Sequence, residues 1–435
     1  MAKGQKANGQ RAQSVTRRRR IGRLALPILV GVSVLALVVW VRWREPRGKR
    51  VTSLESVVDR STMWIGIWPA NDPRSVRLLV WQHEATPLIG TAGPAGVAAE
   101  SAGWAPDLRG PYALRGWHGD AVAYRDRASG ALYLVSASCA EPRKLTETVP
   151  PSNGWWPAWS PDGRRLAVAV GNAKKQLKGV RIFSSGGEMI AEAPVPDPGE
   201  RWGDMLWSAS GRRLLVWYLH GSIPSEAKPK RQGPDAVVLS APDWRPVPVR
   251  FPGLPLYPFA WADDEVVAGA TWADADRSVP VRFVRVFSGR QVGRLDCDVT
   301  SVGAPAWATG GPSPLKPAPS GAGVIARFVR PDEPAFTVHK ATRRFRDSLD
   351  RRPLGWRLRT WAYQHAYSRV AYVYIPISGT GWRTIAVSDR ARGDFTVSAD
   401  GRELLYVDED WNLRAAPLPP EARAGAETRR ATKGY

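Results

Sequence analysis

The sequence predicts an all-β fold: a β-propeller of seven or eight four-stranded blades, preceded by one transmembrane helix. Two observations predict the propeller. Tryptophans recur at intervals typical of one blade, and short polar turn motifs follow several of them. A third observation predicts the helix, because one charge-free apolar segment near the N-terminus lies between basic flanks. The 435 residues are enough for such a ring, since propellers grow by adding similar units around one axis.

The apolar segment is Leu24–Val41, eighteen residues without a charge. As a helix rising about 1.5 Å per residue, it is just long enough to cross a hydrocarbon layer of about 30 Å. Trp40 and Trp43 lie at its far end, where indoles favour the membrane interface. A cleaved signal peptide fits less well, because bulky and basic residues follow without a small-residue cleavage site. A buried core helix fits poorly with basic flanks on both sides.

Basic residues flank this segment unequally. Residues 1–50 carry thirteen Lys/Arg and one acid, and thus hold more than half of the formal net charge of +22. Eight of the thirteen precede the segment and five follow it, which predicts a cytoplasmic N-terminus and a periplasmic or extracellular propeller. The predicted organisation is a disordered basic tail (1–20), a transmembrane helix (21–43), a linker (44–54), a propeller (55–418) and a disordered tail (419–435).

The strongest copy of the repeat runs from Glu141 to Val170, with the sequence EPRKLTETVPPSNGWWPAWSPDGRRLAVAV. Trp159 is followed by the turn Ser160–Gly163 and by the apolar strand Arg165–Val170. In this turn proline presets φ, aspartate can bond to the backbone, and glycine supplies a left-handed exit. The apolar run predicts a strand that is buried on both faces.

The same order of anchor, polar turn and apolar strand recurs along the chain. Successive predicted anchors are separated by 42, 48, 54, 46, 54 and 36 residues. These intervals suit a four-stranded blade of about 40–50 residues with loop insertions. A further unit is predicted near Val58. The predicted anchors are Trp117, Trp159, Trp207, Trp261, Trp307, Trp361 and Val397.

The motif WSPDGRRLAVA at Trp159, its partial copies and the preceding EPRKLTE resemble the TolB/PD40 class of β-propeller repeats, a relative of WD40 propellers. The resemblance covers roughly residues 55–418. The last unit shows only three strands, so an N-terminal strand is expected to complete it. We expect the anchor tryptophans to pack between adjacent blades, where large aromatic surfaces bury well. For Trp155, Trp244 and Trp382, which lie off the repeat phase, a sugar-binding platform is the alternative.

In such blades the turns after the anchors share one face, and the connections between second and third strands leave from the opposite face. Insertions gathered on one face commonly mark where a propeller meets its partner. The predicted long connections of this kind are 171–179, 220–235, 272–280 and 376–381. Two of them are basic, which suggests contact with an acidic or anionic surface; solvated surface loops are the alternative. The basic residues are Lys174, Lys175, Lys178, Lys228, Lys230 and Arg231.

Two further segments stand out by composition. Lys340–Arg359 holds eight Lys/Arg against two Asp, which fits an ordinary charged connector or a contact with lipid headgroups or a partner. The Gly-rich stretch 309–323 is expected to be a flexible insertion. The sequence contains no DNA- or RNA-binding module, so nucleic acid is not an expected partner.

Residues suited to metal or catalytic chemistry are few and scattered in the sequence. The five histidines lack metal-ligand spacing, and no catalytic motif is present, so no metal or cofactor is expected. Cys139 and Cys297 are placed three blades apart, which predicts that they form no disulfide with each other. Three acidic clusters, around Asp264, Asp274 and Glu409, are expected at turns or strand ends.

These features favour a membrane-anchored propeller that binds a protein or cell-envelope partner and is not an enzyme. The alternative is a propeller enzyme acting on glycans or peptides at the channel mouth, which requires a deep pocket with converging carboxylates or histidines. A sensor that signals through the helix is a third possibility, although a tail of about 20 residues offers no obvious output domain.

Overall fold

A computed structural model gives the structure of most of the predicted propeller. The residues that it describes are 46–58, 62–82, 88–101, 117–118, 121–125, 131–136, 139–147, 157–171, 177–195, 203–218, 236–251, 256–271, 279–297, 315–330, 357–358, 369–389 and 393–423.

The described residues form twenty-eight strands in seven antiparallel sheets of four. Six sheets contain four strands that are consecutive in the chain, and the seventh combines the first strand with the last three. In four pairs of neighbouring sheets the first strands contact one another, as expected for strands arranged around a common axis. The all-β propeller is therefore confirmed, and it has seven blades.

The blades are numbered in chain order by their first strand. Blade 1 contains β2 (Thr62–Pro69), β3 (Val76–Gln82), β4 (Leu88–Gly93) and β5 (Gly96–Ser101). Blade 2 contains β6 (Trp117–His118), β7 (Ala121–Arg125), β8 (Leu132–Ser136) and β9 (Cys139–Thr146). Blade 3 contains β10 (Ala158–Trp159), β11 (Arg165–Gly171), β12 (Leu177–Ser184) and β13 (Met189–Pro194). Blade 4 contains β14 (Gly203–Trp207), β15 (Arg213–Tyr218), β16 (Ala236–Ser240) and β17 (Arg245–Val249).

The remaining blades follow the same order. Blade 5 contains β18 (Leu256–Trp261), β19 (Val266–Thr271), β20 (Val279–Arg285) and β21 (Gln291–Cys297). Blade 6 contains β22 (Leu315–Pro317), β23 (Gly323–Arg330), β24 (Arg369–Pro376) and β25 (Arg383–Ser388). Blade 7 contains β26 (Phe395–Val397), β27 (Glu403–Val407), β28 (Asn412–Pro417) and, as its outermost strand, β1 (Lys49–Ser53).

Burial of both sheet faces explains the composition of the second strands. In β11 the residues from Leu166 to Gly171 are all buried, so successive side chains point into two different apolar environments. The outer strand β13 of the same blade is mostly exposed. Apolar clusters join blade 2 to blade 3, 3 to 4, 4 to 5, 5 to 6, 6 to 7, and 7 to 1. The core of the molecule is therefore a series of wedges between neighbouring blades.

The N-terminal strand closes the ring, as the three visible strands of the last repeat predicted. β1 pairs antiparallel with β28, with Lys49 opposite Ala415 and Ser53 opposite Asn412. Just before β1, the backbone N–H of Gly48 donates to the Tyr406 hydroxyl at 3.0 Å, and its carbonyl accepts from Arg414 at 2.9 Å. β1 lies within 44–54, so part of the predicted linker belongs to the propeller. A short 3₁₀ helix, Pro420–Ala422, follows β28 within the predicted tail 419–435.

The anchors predicted at Trp307 and Trp361 are wrong, and this error explains the uncertain blade count. A single blade, blade 6, spans Leu315–Ser388, and both tryptophans lie outside its strands and outside the described residues. Pro317 occupies the anchor position. The turn after it has the backbone hydrogen bonds of the Trp159 turn, with Ala318 N–H donating to Gly323 O and Gly321 N–H to Ala318 O. Part of the segment expected to be a flexible insertion, 309–323, is therefore the first strand and turn of this blade.

The closure of the ring makes Gly48 sensitive to substitution. A Cβ atom there would lie 2.7 Å from the carbonyl oxygen of Ala415, which belongs to β28 and cannot move without disturbing the pairing. We expect Gly48→Ala to lower the free energy of unfolding by about 1–3 kcal/mol, through overpacking between the two closing strands. Thermal unfolding followed by circular dichroism measures this effect.

Gly186→Ala is the matched control, because an added Cβ would find only the Ser184 hydroxyl, at 3.7 Å. This variant should change the free energy of unfolding by less than about 0.5 kcal/mol. Equal stability of the two variants would contradict the assigned closure.

Candidate functional site

The two faces of the ring differ in the connections that they carry. We call the face with the turns between first and second strands the turn face; the third-to-fourth-strand turns share it. We call the opposite face, with the connections between second and third strands, the loop face. The longest connections between second and third strands are 219–235 in blade 4 and 331–368 in blade 6. On the turn face the longest are 70–75 in blade 1 and 377–382 in blade 6. Long insertions therefore gather on the loop face.

Three of the four connections expected on the loop face are placed there by the strand order, between β11 and β12, β15 and β16, and β19 and β20. The fourth, 376–381, was assigned to the wrong face. It follows β24, the third strand of blade 6, and so belongs to the turn face. The cause is the false anchor at Trp361, which made β24 look like a second strand.

Of the six residues predicted to bind a partner, Lys178 is described. It lies in β12 next to the loop face and is exposed. Lys174 and Lys175, and also Lys228, Lys230 and Arg231, lie outside the described residues. The strand order still assigns these five to the connections after β11 and β15.

The strand order also locates the second basic cluster, Lys340–Arg359. This cluster lies between β23 and β24, which are the second and third strands of blade 6. Its connection therefore starts and ends at the loop face, a placement that the sequence did not indicate because the blade was divided wrongly. Within the cluster the structure describes Arg357 and Leu358, and both are exposed.

The turn face is held by a repeated hydrogen-bond motif. In blade 3 the Ser160 hydroxyl donates to Asp162 Oδ1 at 2.5 Å, and the Arg165 N–H donates to the Ser160 hydroxyl at 2.9 Å. Blade 7 repeats the motif, since the Ser398 hydroxyl donates to Asp400 Oδ1 at 2.6 Å. The motif continues between blades, where Arg165 Nη1 donates to the carbonyl of Gly211 at 3.0 Å. These contacts rigidify the turns and leave their polar atoms satisfied.

Hydrogen bonding sets the pKa of the turn aspartates. The hydrogen bond from Ser398 lowers the pKa of Asp400 below its usual value. At Asp162, burial raises the pKa, but the hydrogen bonds from Ser160 and from the Arg164 N–H outweigh it, and the net shift is downward. These carboxylates are ionised hydrogen-bond acceptors at neutral pH, a state that suits a structural role.

The anchor tryptophans connect successive blades. Trp207 Nε1 donates to the carbonyl of Ala158 at 2.7 Å, and Trp261 Nε1 donates to the carbonyl of Leu206 at 2.8 Å. Each acceptor directly precedes the anchor of the previous blade. Both rings are buried, in the clusters between blades 3 and 4 and between blades 4 and 5. Trp159 is partly buried between blades 2 and 3. These three tryptophans therefore lie in the apolar clusters between blades, and Trp117 occupies the equivalent strand position in β6.

The tryptophans off the repeat phase have different environments. Trp244 is 4% exposed and packs edge-on against Trp207 with ring centroids 5.7 Å apart, so it cannot serve as a sugar platform. Trp382 is 51% exposed on the turn face. Trp155 lies outside the described residues.

Blades 6 and 7 form a charged cluster near the axis that the sequence did not predict. Lys316 Nζ, in the first strand of blade 6, contacts Asp394 Oδ2 at 2.8 Å just before the first strand of blade 7. Asp394 is 6% exposed and Lys316 remains partly accessible. Arg327 Nη1 donates to the carbonyl of Gly393 at 2.9 Å. The paired charges suit a fixed junction between the blades.

The predicted acidic clusters are mainly structural. Asp263 Oδ1 accepts the backbone N–H groups of Glu265 and Val266, both at 2.6 Å. Asp408 is buried and binds Asn412 and Arg414 in the closing blade. Asp274 and Asp276 lie outside the described residues. Within the described part of the chain, no group of three or more His, Cys, Asp or Glu is arranged to hold a metal ion.

The cysteines occupy the predicted blades. Cys139 begins β9, the outer strand of blade 2, and Cys297 ends β21, the outer strand of blade 5. They are three blades apart, at opposite faces. That no disulfide joins them remains a prediction.

None of the helices formed by the described residues is sufficiently long and apolar to cross a membrane. The predicted span Leu24–Val41 lies outside those residues.

Comparison with known proteins finds similarity of fold at low sequence identity. The β-propeller domain of the Trilobed protease from Pyrococcus furiosus matches with 12% identity and a TM-score of 0.44, over 82% of this chain and 94% of that chain. Kuenenia stuttgartiensis hydrazine synthase matches with 12% identity and a TM-score of 0.44, over 82% of this chain and 96% of that one. TolB from Acinetobacter baumannii matches with 13% identity and a TM-score of 0.35, over 81% and 79%. Neither a protein-family model nor a curated protein matches the chain.

The indole hydrogen bonds between blades predict a stability effect. Trp207→Phe keeps an aromatic ring but removes the donor to the Ala158 carbonyl. We expect the free energy of unfolding to fall by about 0.5–1.5 kcal/mol, the net contribution of one hydrogen bond. Trp382→Phe is the control, because its ring is half exposed. A chemical denaturation series measures both variants, and an equal loss of stability in the two would show that the indole bond contributes nothing.

The lowered pKa of Asp400 predicts an acid dependence. A carboxyl whose pKa is lower in the folded chain stabilises it above the unfolded pKa, and this stabilisation is lost as the pH falls through the folded value. Asp400→Asn should therefore lower Tm near neutral pH and reduce the further drop in Tm between about pH 7 and about pH 3. Thermal melts at both pH values test this. An unchanged acid-induced drop would contradict the assigned role of the carboxylate.

Proposed function

We propose that this chain is a single-pass membrane protein whose propeller lies outside the cytoplasm and binds a protein or cell-envelope partner through its loop face. The observation that carries the proposal is the segregation of connections: the long insertions leave from the loop face, while the turn face carries short, hydrogen-bonded turns. A rigid ring with variable segments on one face is a common design for partner binding.

The charge of the loop-face connections supports an acidic or anionic partner. The connections after β11 and β15 contain five of the six basic residues named above, and Lys178 follows at the start of β12. The connection after β23 contains Lys340–Arg359, with eight Lys/Arg and two Asp. Clustered basic side chains attract acidic surfaces and accelerate association with them. The membrane anchor is supported by the charge-free segment Leu24–Val41 and its basic flanks.

The alternative of an enzyme at the channel mouth remains a prediction. The two buried acids among the described residues, Asp394 and Asp408, each contact a cation. This pairing gives no specific reason to prefer catalysis, and the partner-binding function is the one that the distribution of loops favours.

Site-specific photo-crosslinking in intact membranes tests the binding face. A photoreactive residue replaces Lys178 in the full-length chain, and its adducts are compared with those of the variant that also carries Lys174→Glu, Lys175→Glu and Lys228→Glu. We expect the charge reversals to lower the adduct yield by about tenfold or more, because they replace attraction with repulsion.

The matched control reverses three exposed arginines on the turn face, with Arg164→Glu, Arg212→Glu and Arg402→Glu. These residues follow the turn glycines of blades 3, 4 and 7 and are exposed. The control should leave the adducts at position 178 unchanged. An undiminished yield in the loop-face variant would remove the assignment of the binding face.

A further inference from the structure

Two exposed aromatic side chains lie in neighbouring turns of the turn face. Phe287 is 49% exposed and lies in the turn between the third and fourth strands of blade 5, residues 286–290. Trp382 is 51% exposed and ends the corresponding turn of blade 6, residues 377–382. We call these two segments the aromatic turns. Partner binding through the loop face uses neither of them, because the strand order places both on the opposite face.

The aromatic turns meet along one strand, β21. A Cβ added at Gly379 would lie 2.5 Å from the backbone N and O of Arg294, and one added at Gly293 would lie 1.9 Å from the carbonyl oxygen of Ile377, so the blade 6 turn packs directly on β21. The blade 5 turn leads into the same strand, which begins at Gln291. At about 3.3 Å per residue, the two turns contact β21 roughly 10 Å apart. One extended ligand can therefore reach both.

Both aromatic turns are held in place by contacts with neighbouring segments. The Arg213 guanidinium carbon lies 5.0 Å from the centroid of the Phe287 ring, and Arg213 Nη1 donates to the carbonyl of Asp264 at 2.5 Å. With a guanidinium over one face, this half-exposed ring leaves its other face for a ligand. In the blade 6 turn, the N–H of Ile377 donates to the carbonyl of Ala322 at 2.9 Å. A preformed surface loses little conformational freedom on binding.

Exposed polar groups accompany the two rings. Ser378 and Thr380 are exposed in the blade 6 turn, and their hydroxyl oxygens lie 2.9 Å apart. Ser288 is exposed in the blade 5 turn. A Cβ added at Gly381, next to Trp382, would meet nothing within 4 Å, so this side of the turn is open. Two separated rings among hydroxyl groups lack the contiguous apolar core that is usual for a protein–protein interface.

The charge within the aromatic turns is positive. Arg290 is exposed and is the only charged residue of the two segments. Carboxylates that border the turns have contacts of their own. These contacts are Glu265 with Arg285 (2.8 Å), Asp264 with Ser210 (2.7 Å) and Glu421 with Arg383 (2.8 Å). An acidic ligand is therefore attracted to Arg290.

We propose that the aromatic turns bind an acidic polysaccharide. The rings of Phe287 and Trp382 stack on the apolar faces of sugar units, because the negative π face of an aromatic ring attracts the weakly positive C–H groups of a sugar. The hydroxyl groups of the turns exchange hydrogen bonds with sugar hydroxyls. Arg290 pairs with a carboxylate or phosphate of the polysaccharide. This site is separate from the loop face and does not depend on the membrane anchor.

Calorimetric titration of the full-length chain in detergent tests this site. The probes are hexagalacturonate, which carries carboxylates, and the neutral cellohexaose. We expect saturable binding of hexagalacturonate that Trp382→Ala and Phe287→Ser each weaken about tenfold, because each removes one stacking ring. Trp382→Phe keeps a ring and should retain the affinity to within about threefold.

Arg290→Gln separates the contribution of charge from that of stacking. It should weaken the binding of hexagalacturonate about fivefold and leave the weaker binding of cellohexaose unchanged, because the neutral probe cannot pair with an arginine. Met189→Ser is the matched control, since Met189 is exposed on the turn face of blade 3, outside the aromatic turns, and it should leave both affinities unchanged. No saturable binding of either probe, or binding that both aromatic substitutions leave unchanged, would overturn the proposal.

Photo-crosslinking in intact membranes identifies the natural occupant. A photoreactive residue replaces Ser378, and we expect adducts that react after periodate oxidation, which detects vicinal diols, and whose added mass survives protease digestion. Adducts that protease removes and periodate does not detect would show a protein partner and overturn the proposal. The loop-face variant with Lys174→Glu, Lys175→Glu and Lys228→Glu should leave the adducts at position 378 unchanged, so failure at one face is distinguished from failure at the other.

Discussion

The structure depends on the burial of blade faces against neighbouring blades. A four-stranded sheet with apolar side chains on two sides cannot be stable alone, and apolar clusters among the described residues join six pairs of neighbouring blades. One of these clusters joins blade 7 to blade 1, and β1, from the start of the chain, completes blade 7. The indole bonds of Trp207 and Trp261 and the turn arginines then add directional contacts to a non-directional core.

The sequence predicted the parts of this fold that depend on local patterns. The Trp159 unit contains its anchor, turn and strand within a dozen residues, and its description was correct in each part. Blade 6 was misread because Pro317 replaces the tryptophan, and Ala318–Gly321 keeps the turn hydrogen bonds without the aspartate. Trp307 and Trp361 are aromatic and lie at intervals typical of one blade, so they match the repeat pattern better than Pro317 does. The turn glycine and the apolar strand after it, Gly323–Arg330, were the signal that would have located this blade.

The charged cluster near the axis could not be predicted in the same way. Lys316 and Asp394 are 78 residues apart, and their contact depends on how two blades meet. Lys316 lies in a Pro- and Gly-rich stretch without an anchor residue, and Asp394 precedes a strand of only three residues. Neither position has a local pattern that marks a partner.

The division of the ring into two faces connects the fold to the proposed function. An antiparallel blade separates short, hydrogen-bonded turns from longer connections without extra elements. The turns after the first and third strands of a blade lie on the turn face, and the connections after the second strand lie on the loop face. Insertions in the connections after second strands therefore leave the turns of the turn face unchanged. Connections on the loop face can then vary in length without affecting the apolar core, which gives a physical reason for the long connections to gather there.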